Sequence, residues 1–312
     1  MSKPLVTIGI PCFNCAPYLP GLLHSLDRQI YASWEAIAVD DASTDGTAEI
    51  LRAIRHPRIR VVFGKDNLGL GARLNQINEL AQTDFIARTD ADDLIHPERL
   101  VRQMACFDAD PNLDVCATGT YTIDNQNRLL GVRRVPALAT TPLEVMRRNG
   151  PSHPTVTALR SWFLRFPYRP HPKRGEDLDV WVRSISTSHI LQLEEPLHFI
   201  REDPEFDIAK YRRSMRDHRI LFRRHRKLAG NPLCAYSLLL RSYGKEAVYA
   251  ALASVTLAGK LAARRNGQLP QTELVEAESI LTRILDQSSP STNREKLSKA
   301  SPASVCALSQ EA

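Results

Sequence analysis

Short β-branched apolar runs alternate with longer amphipathic stretches through the first third of the chain, and this alternation leaves few folds open. Val6 to Ile10, Ala36 to Val39, Ile59 to Phe63, Phe85 to Ala87 and Val115 to Thr118 read as strands. Leu19 to Gln29, Thr47 to Arg55, Leu70 to Ala81 and Pro97 to Phe107 read as the helices between them. Strand, helix and strand in succession return the chain parallel to itself, so the expected class is α/β, a mostly parallel sheet flanked by helices. Ser43-Thr44-Asp45 and Pro97-Glu98 supply start signals for two of the helices.

From about Tyr121 the alternation weakens, and seven prolines between Pro136 and Pro172 predict a loop-rich half suited to an acceptor. After Tyr211 the pattern turns helical through about Gln287, and the remainder is rich in Ser, Ala and Lys. The expected organisation is a catalytic domain over 1–210, a basic helical extension over 211–287 and a disordered tail over 288–312.

The N-terminus lacks the apolar stretch and cleavage site of a signal peptide, which predicts a cytoplasmic protein. The longest nearly apolar run, Ala247 to Gly259, is short of the roughly 20 residues that span a bilayer and reads as a buried or interfacial helix. The six cysteines include one C-x-x-C pair, Cys12 and Cys15, without a second pair to complete a zinc site, so thiols are expected. A net charge of +6 suggests an anionic partner, whether membrane surface, nucleotide or nucleic acid.

Open α/β sheets bind ligands outside the carboxyl ends of their strands, which directs attention to Pro11–Asn14, Asp40–Asp45 and Thr89–Asp93. Asp90-Ala91-Asp92-Asp93 places three carboxylates in four residues, and their repulsion is relieved by a divalent cation. Oxygen ligands suit Mg²⁺ or Mn²⁺; a solvated acidic loop that caps the next helix is the plainer alternative. Asp40 to Thr47 offers acids for a nucleobase or ribose, and equally ordinary helix caps. Asn67 to Arg73 offers glycines and a cation before a helix, suited to a diphosphate.

In this order the segments resemble glycosyltransferase family 2, the inverting transferases of GT-A fold, over Leu5 to about Arg201. Ile10-Pro11-Cys12-Phe13-Asn14 is similar to that family's first strand and donor loop, and Asp40 to Thr47 to its DDxSxDxT stretch. Ile86 to Asp93 followed by Pro97-Glu98-Arg99-Leu100 resembles its DxD motif and succeeding helix. Gly175-Glu176-Asp177-Leu178-Asp179-Val180-Trp181-Val182-Arg183 resembles its ED-x-D-x-W-x-R helix. The resemblance implies a nucleotide-sugar donor, UDP by default, bound by Pro11, Asn14, Asp41, Arg73 and Asp90. It also implies Mn²⁺ or Mg²⁺ on Asp92, Asp177 as catalytic base, and a saccharide or lipid-linked acceptor. His153-Pro154 is similar to an HP pair of many members, although a lone loop histidine is more often structural. Glu202-Asp203-Pro204 departs from the histidine and serine often seen there.

Arginines crowd Tyr211 to Leu228, with Tyr211, Met215, Phe222 and Leu228 able to share an apolar side. This reads as a basic amphipathic helix, either packed on the catalytic domain or attached to anionic lipid at the inner face of the plasma membrane. A sugar-phosphate nucleotidyltransferase would carry a G-x-G-x-R loop where Pro11 to Asn14 stands. A nucleic-acid-binding protein would leave the acidic clusters unexplained, so no nucleic-acid partner is expected.

Overall fold

The computed structural model describes residues 5–133, 135–170, 175–202, 206–254, 266–267 and 269–286. The expected tail, Cys306, residues 255–259 of the apolar run and Asp203-Pro204 lie outside the described residues.

The first half runs β1 (Val6–Cys12), α1 (Leu19–Asp27), β2 (Trp34–Asp40), α2 (Thr47–Ala53), β3 (Ile59–Phe63), α3 (Leu70–Leu80), β4 (Phe85–Arg88), β5 (Leu94–Ile95) and α4 (Arg99–Ala109). It continues through β6 (Val115–Ile123), β7 (Leu129–Arg133), α5 (Pro142–Arg148), β8 (Thr157–Leu159), α6 (Arg160–Arg165), α7 (Glu176–Ser184) and β9 (Ile190–Arg201). The helical part comprises α8 (Ile208–Arg224), α9 (Pro232–Ser254) and α10 (Gln271–Leu285), with β10 (Asn266–Gly267) between the last two.

Strands β3-β2-β1-β4 are parallel, as the alternation predicts. Next to β4 the sheet turns antiparallel through β8 to β6, while β9 returns parallel to β6. Pairing on both edges is what extends β6 beyond the expected Thr118 to Ile123. Two apolar layers cover the sheet. One carries Leu19, Leu22, Leu51, Leu100 and Met104, and the other carries Leu74, Ile77, Trp162, Leu178, Trp181 and Leu221. Helix α3 rides directly on β1, because a Cβ on Gly9 would come within 2.8 Å of Ile77.

Local boundaries shift where tertiary hydrogen bonds compete with helical ones. Pro97 and Glu98 precede α4 rather than forming its first turn, since the Pro97 carbonyl accepts from Ile30 and the Glu98 amide donates to His96 Nδ1 at 3.1 Å. The arginine-rich stretch forms α8, but its apolar side differs from the expected one. Leu221 and Phe222 are buried, whereas Leu228 lies past the helix end and is exposed. Arg219 is also buried, paired with Glu246 of α9 at 2.7 Å. Helix α10 packs Ala277, Ile280, Leu281 and Ile284 against Leu94, Tyr121, Ile123 and Phe199 of the sheet. None of the described helices is long and apolar enough to cross a membrane.

Candidate active site

The carboxyl ends of β1 and β2 are tied together. Asn14, at φ 49°, accepts from the Thr44 amide at 2.8 Å and donates its own amide to Ser43 at 3.0 Å. Asp45 accepts from the amides of Ala16 and Thr47, both at 3.1 Å. Pro11 lies in β1 opposite Val39, so its backbone is fixed by the strand that leads into this loop pair.

Asp41 and Arg73 meet in an inward ion pair, 2.7 Å from Nε to Oδ1, with both side chains buried. The Asp41 carboxylate also accepts from the amides of Leu68 and Gly69 at 2.8 Å each. Gly69 is at φ 85°, a conformation that a side chain would strain. Arg73 gives its remaining donors to Gln76 and to the Asp66 carbonyl. The pair thus shapes the loop before α3, and its polar atoms are engaged within the protein.

At the end of β4 the ligand oxygens of Asp90, Asp92 and Asp93 lie within 4.8 Å of one another. Like charges at that separation cost roughly 3 kcal/mol per pair at an effective dielectric constant of about 20, so all three cannot ionise without compensation. Burial, with Asp93 and Asp90 nearby, pushes the Asp92 carboxyl up to about 7. Asp90 is offset by Arg88, at 2.8 Å. Asp93 accepts from the Arg201 amide at 2.9 Å and from His198 Nε2 at 3.0 Å.

His198 reads out its own tautomer. Arg99 lies 3.0 Å from Nδ1 and can only donate, so Nδ1 accepts and the ring proton sits on Nε2, directed at Asp93. Burial and Arg99 hold this histidine well below its ordinary pKa, in keeping with a neutral ring. Arg99 itself donates to Gln103 and to the carbonyls of Arg88 and Val156, which fastens α4, β4 and β9 around the acidic loop. Arg201 closes the other side. Its guanidinium donates to the carbonyls of Asp92 and Asp124 and to Asn127, and lies 4.4 Å over the Tyr18 ring. The sequence reading passed over Arg88, Arg99, His198 and Arg201. A signal was available for Arg88, an arginine closing an otherwise apolar strand beside an acidic run.

Helix α7 separates the members of its acidic motif by depth. Gly175, at φ 87°, starts the helix where a Cβ would meet Leu221 at 3.0 Å. Glu176 is raised to about 7 by burial and by Asp177. Asp177 lies on the wall of a cavity of about 660 Å³ bounded by α5, α7, α8 and α9. Asp179 is buried and takes hydrogen bonds from His225 at 2.7 Å and Arg183 at 2.8 Å, anchoring α7 to the residues after α8. Trp181 packs edge-on against His153.

Tyr168 connects the two acidic centres: burial raises its hydroxyl well above the ordinary phenol range, and Arg88, Glu176, Asp177 and Asp90 all act on it electrostatically. His153 hydrogen-bonds this hydroxyl through Nε2 and is itself buried. In the same way Cys15 senses Asp45 and Asp92, which places the loop after β1 within electrostatic reach of the acidic triad. Tyr168 thus lies within electrostatic reach of both Asp90 and the Glu176–Asp177 pair, whereas none of Asn14, Asp41, Arg73, Asp90 and Asp92 lines the cavity at Asp177.

A mostly parallel α/β sheet with an acidic triad at one strand end and a second acidic centre within electrostatic reach is an arrangement suited to an anionic substrate and a divalent cation. The description "Glycosyl transferase family 2" matches residues 7–170, and the chain belongs to that family of glycosyltransferases. EpsE of Bacillus subtilis (strain 168), assigned to the glycosyltransferases, is 34% identical over 213 residues, covering 65% of this chain and 75% of EpsE. The fold matches S. aureus TarS 1-349 in complex with UDP-GlcNAc at a TM-score of 0.54 and 21% identity, over 70% of this chain and 66% of that one. It also matches the mannosyltransferase PcManGT from Pyrobaculum calidifontis in complex with GDP-Man and Mn²⁺, with a TM-score of 0.53, 21% identity and coverage of 90% and 81%. Both neighbours have the GT-A fold, as expected from the sequence. Family membership sets aside the nucleotidyltransferase reading.

Proposed function

We propose that the protein transfers a sugar from a nucleotide-diphosphate donor to a saccharide or lipid-linked acceptor with inversion at the anomeric carbon. The observation that carries this reading is the Asp90-Asp92-Asp93 cluster at the end of β4, close enough to the Glu176–Asp177 pair for both Asp90 and that pair to act on Tyr168. The carboxylate set fits a hard divalent cation, Mn²⁺ or Mg²⁺, with Asp92 as the residue that would hold it. Such an ion, when bound, supplies Lewis-acid neutralisation of diphosphate charge.

The chain's own groups do the rest. The Asn14 loop and Asp90 receive the donor, and Asp41 with Arg73 holds the loop against which the nucleotide rests. Asp177 takes the acceptor hydroxyl's proton as its oxygen bonds to the anomeric carbon, and the bond to the diphosphate oxygen breaks on the opposite face. Thermal unfolding tests the donor assignment. UDP with Mn²⁺ should raise the melting temperature by several degrees, and neither alone should do so. A shift with GDP instead would change the base, and no shift with any nucleotide diphosphate would sink the reading.

A second reading concerns location. Leu233, Tyr236, Leu240 and Tyr243 recur at three- and four-residue intervals along α9 and are 79%, 61%, 54% and 50% exposed. Beside them Arg212, Arg213, Arg216 and Arg223 of α8 are exposed, as are Arg226 and Lys227 beyond it. An apolar stripe flanked by cations suits the interface of an anionic membrane. Replacing Arg213, Arg216, Arg223 and Arg226 with Gln should cut co-sedimentation with phosphatidylglycerol vesicles at least tenfold. Unchanged sedimentation would rule this location out.

A further inference from the structure

The fully buried histidines of this fold are tied down by hydrogen bonds. His96 Nδ1 accepts from the Glu98 amide, His153 meets the Tyr168 hydroxyl, His198 links Arg99 to Asp93, and His225 pairs with Asp179. His218 of α8 is different. It is half-buried, and neither ring nitrogen has a hydrogen-bond partner among the described residues.

Packing nevertheless fixes where this ring sits. It lies against the start of α7, where a Cβ on Gly175 would stand 3.3 Å from Cδ2 and 3.7 Å from Nε2. Its other neighbour is Phe222, one helical turn along α8, with ring centroids 6.2 Å apart. Asp177 follows Gly175 by two residues, and Asp177 and His218 both line the cavity of about 660 Å³. Burial lowers the imidazole below its ordinary pKa, against the opposing pull of Asp177 and Asp217 and with a further push from Lys245. The ring is therefore neutral at pH 7, with one N–H donor and one bare nitrogen.

A carboxylate can draw the proton of an acceptor hydroxyl, but by itself it leaves the hydroxyl free to turn about its C–O bond. A second contact, an N–H donated to the oxygen, removes that freedom and converts a loosely held nucleophile into an oriented one. We propose that His218 is a catalytic residue of the transfer: its ring N–H holds the acceptor oxygen, so that the hydroxyl proton points at Asp177 and a lone pair faces the anomeric carbon. The acceptor oxygen then bonds to that carbon and its proton passes to Asp177. The bond from the carbon to the diphosphate oxygen breaks, and its electron pair leaves with the diphosphate. The proposal rests on the transferase reading above and adds a residue of the helical extension, outside the span 7–170 that matches the family.

Nucleotide release from UDP-GlcNAc or GDP-Man by the full chain in Mn²⁺, with water as the acceptor, tests the assignment. H218L should lower kcat by about ten- to a hundredfold and leave KM for the donor within about twofold of wild type. H218Q keeps an N–H and should recover most of that loss, with both variants melting where wild type does. In the D177N background H218L should cost no more than about twofold, because the contact it removes serves proton transfer to Asp177. H218A replaces H218L in these comparisons if the leucine variant melts early. The proposal is overturned if H218L retains wild-type kcat, if H218Q is as impaired as H218L, or if the loss is undiminished in D177N. Turnover indifferent to H218L refutes this proposal alone, whereas a wild-type chain that releases nucleotide from neither donor refutes the transferase reading and the proposal with it.

Discussion

Asp177→Asn should lower turnover by about 10²- to 10⁴-fold while nucleotide binding stays within about twofold of wild type. The substitution keeps the side chain's shape and its acceptor oxygen, so the hydrogen bond from the Leu178 amide, 2.7 Å in the structure, can persist. What disappears is the ability to take a proton from the acceptor hydroxyl. Glu176 stands one residue away and is the rival base, since burial and Asp177 already raise its carboxyl to about 7. Parallel Glu176→Gln kinetics separate the two. If Glu176→Gln stops transfer and Asp177→Asn does not, the base is Glu176. If Asp177→Asn also abolishes nucleotide binding, Asp177 belongs to the donor site instead.

Asp92→Asn should abolish the Mn²⁺-dependent stabilisation by nucleotide and reduce transfer by at least a hundredfold. A ligand at a hundred times its dissociation constant contributes about 2.7 kcal/mol, a shift of several degrees for a chain of this size, so its loss is easily read. The same variant has an opposite signature without metal. In the folded protein the Asp92 carboxyl is raised from 3.8 to about 7, so the folded state favours the protonated form. Wild-type stability should then fall as pH rises from about 4 to about 7, and the metal-free variant should be the more stable one above pH 7. Below pH 4 the two should converge. A variant that is less stable than wild type at pH 8 without metal would show that the acidic cluster is satisfied by the protein alone.

Much of the fold was legible because it is written in local periodicity. All five strands and four helices expected in the first third are present, and their errors are confined to ends, as at Pro97, whose carbonyl accepts from the distant Ile30, and at Glu98, whose amide turns back to the neighbouring His96. The acidic run at Asp90 to Asp93 was visible for the same reason: three carboxylates in four residues at a strand end are improbable without a use. The inward turn of α8 was only half visible, since Leu221 and Phe222 could be read as apolar but the burial of Arg219 required Glu246 of α9 to be opposite it.

The division between what the sequence determined and what the tertiary structure decided follows contact distance along the chain. Strand and helix order, the carboxylate run and the glycine turn before α3 depend on neighbours a few residues away, and spacing alone specifies them. The Arg73 lock on Asp41 and the Arg99–His198–Asp93 chain join residues separated by 32, 99 and 105 positions. Such pairs form only when sheet closure and helix packing bring their elements together. No local pattern encodes which buried charge will meet which, because the energy of that meeting depends on the solvent that folding has excluded.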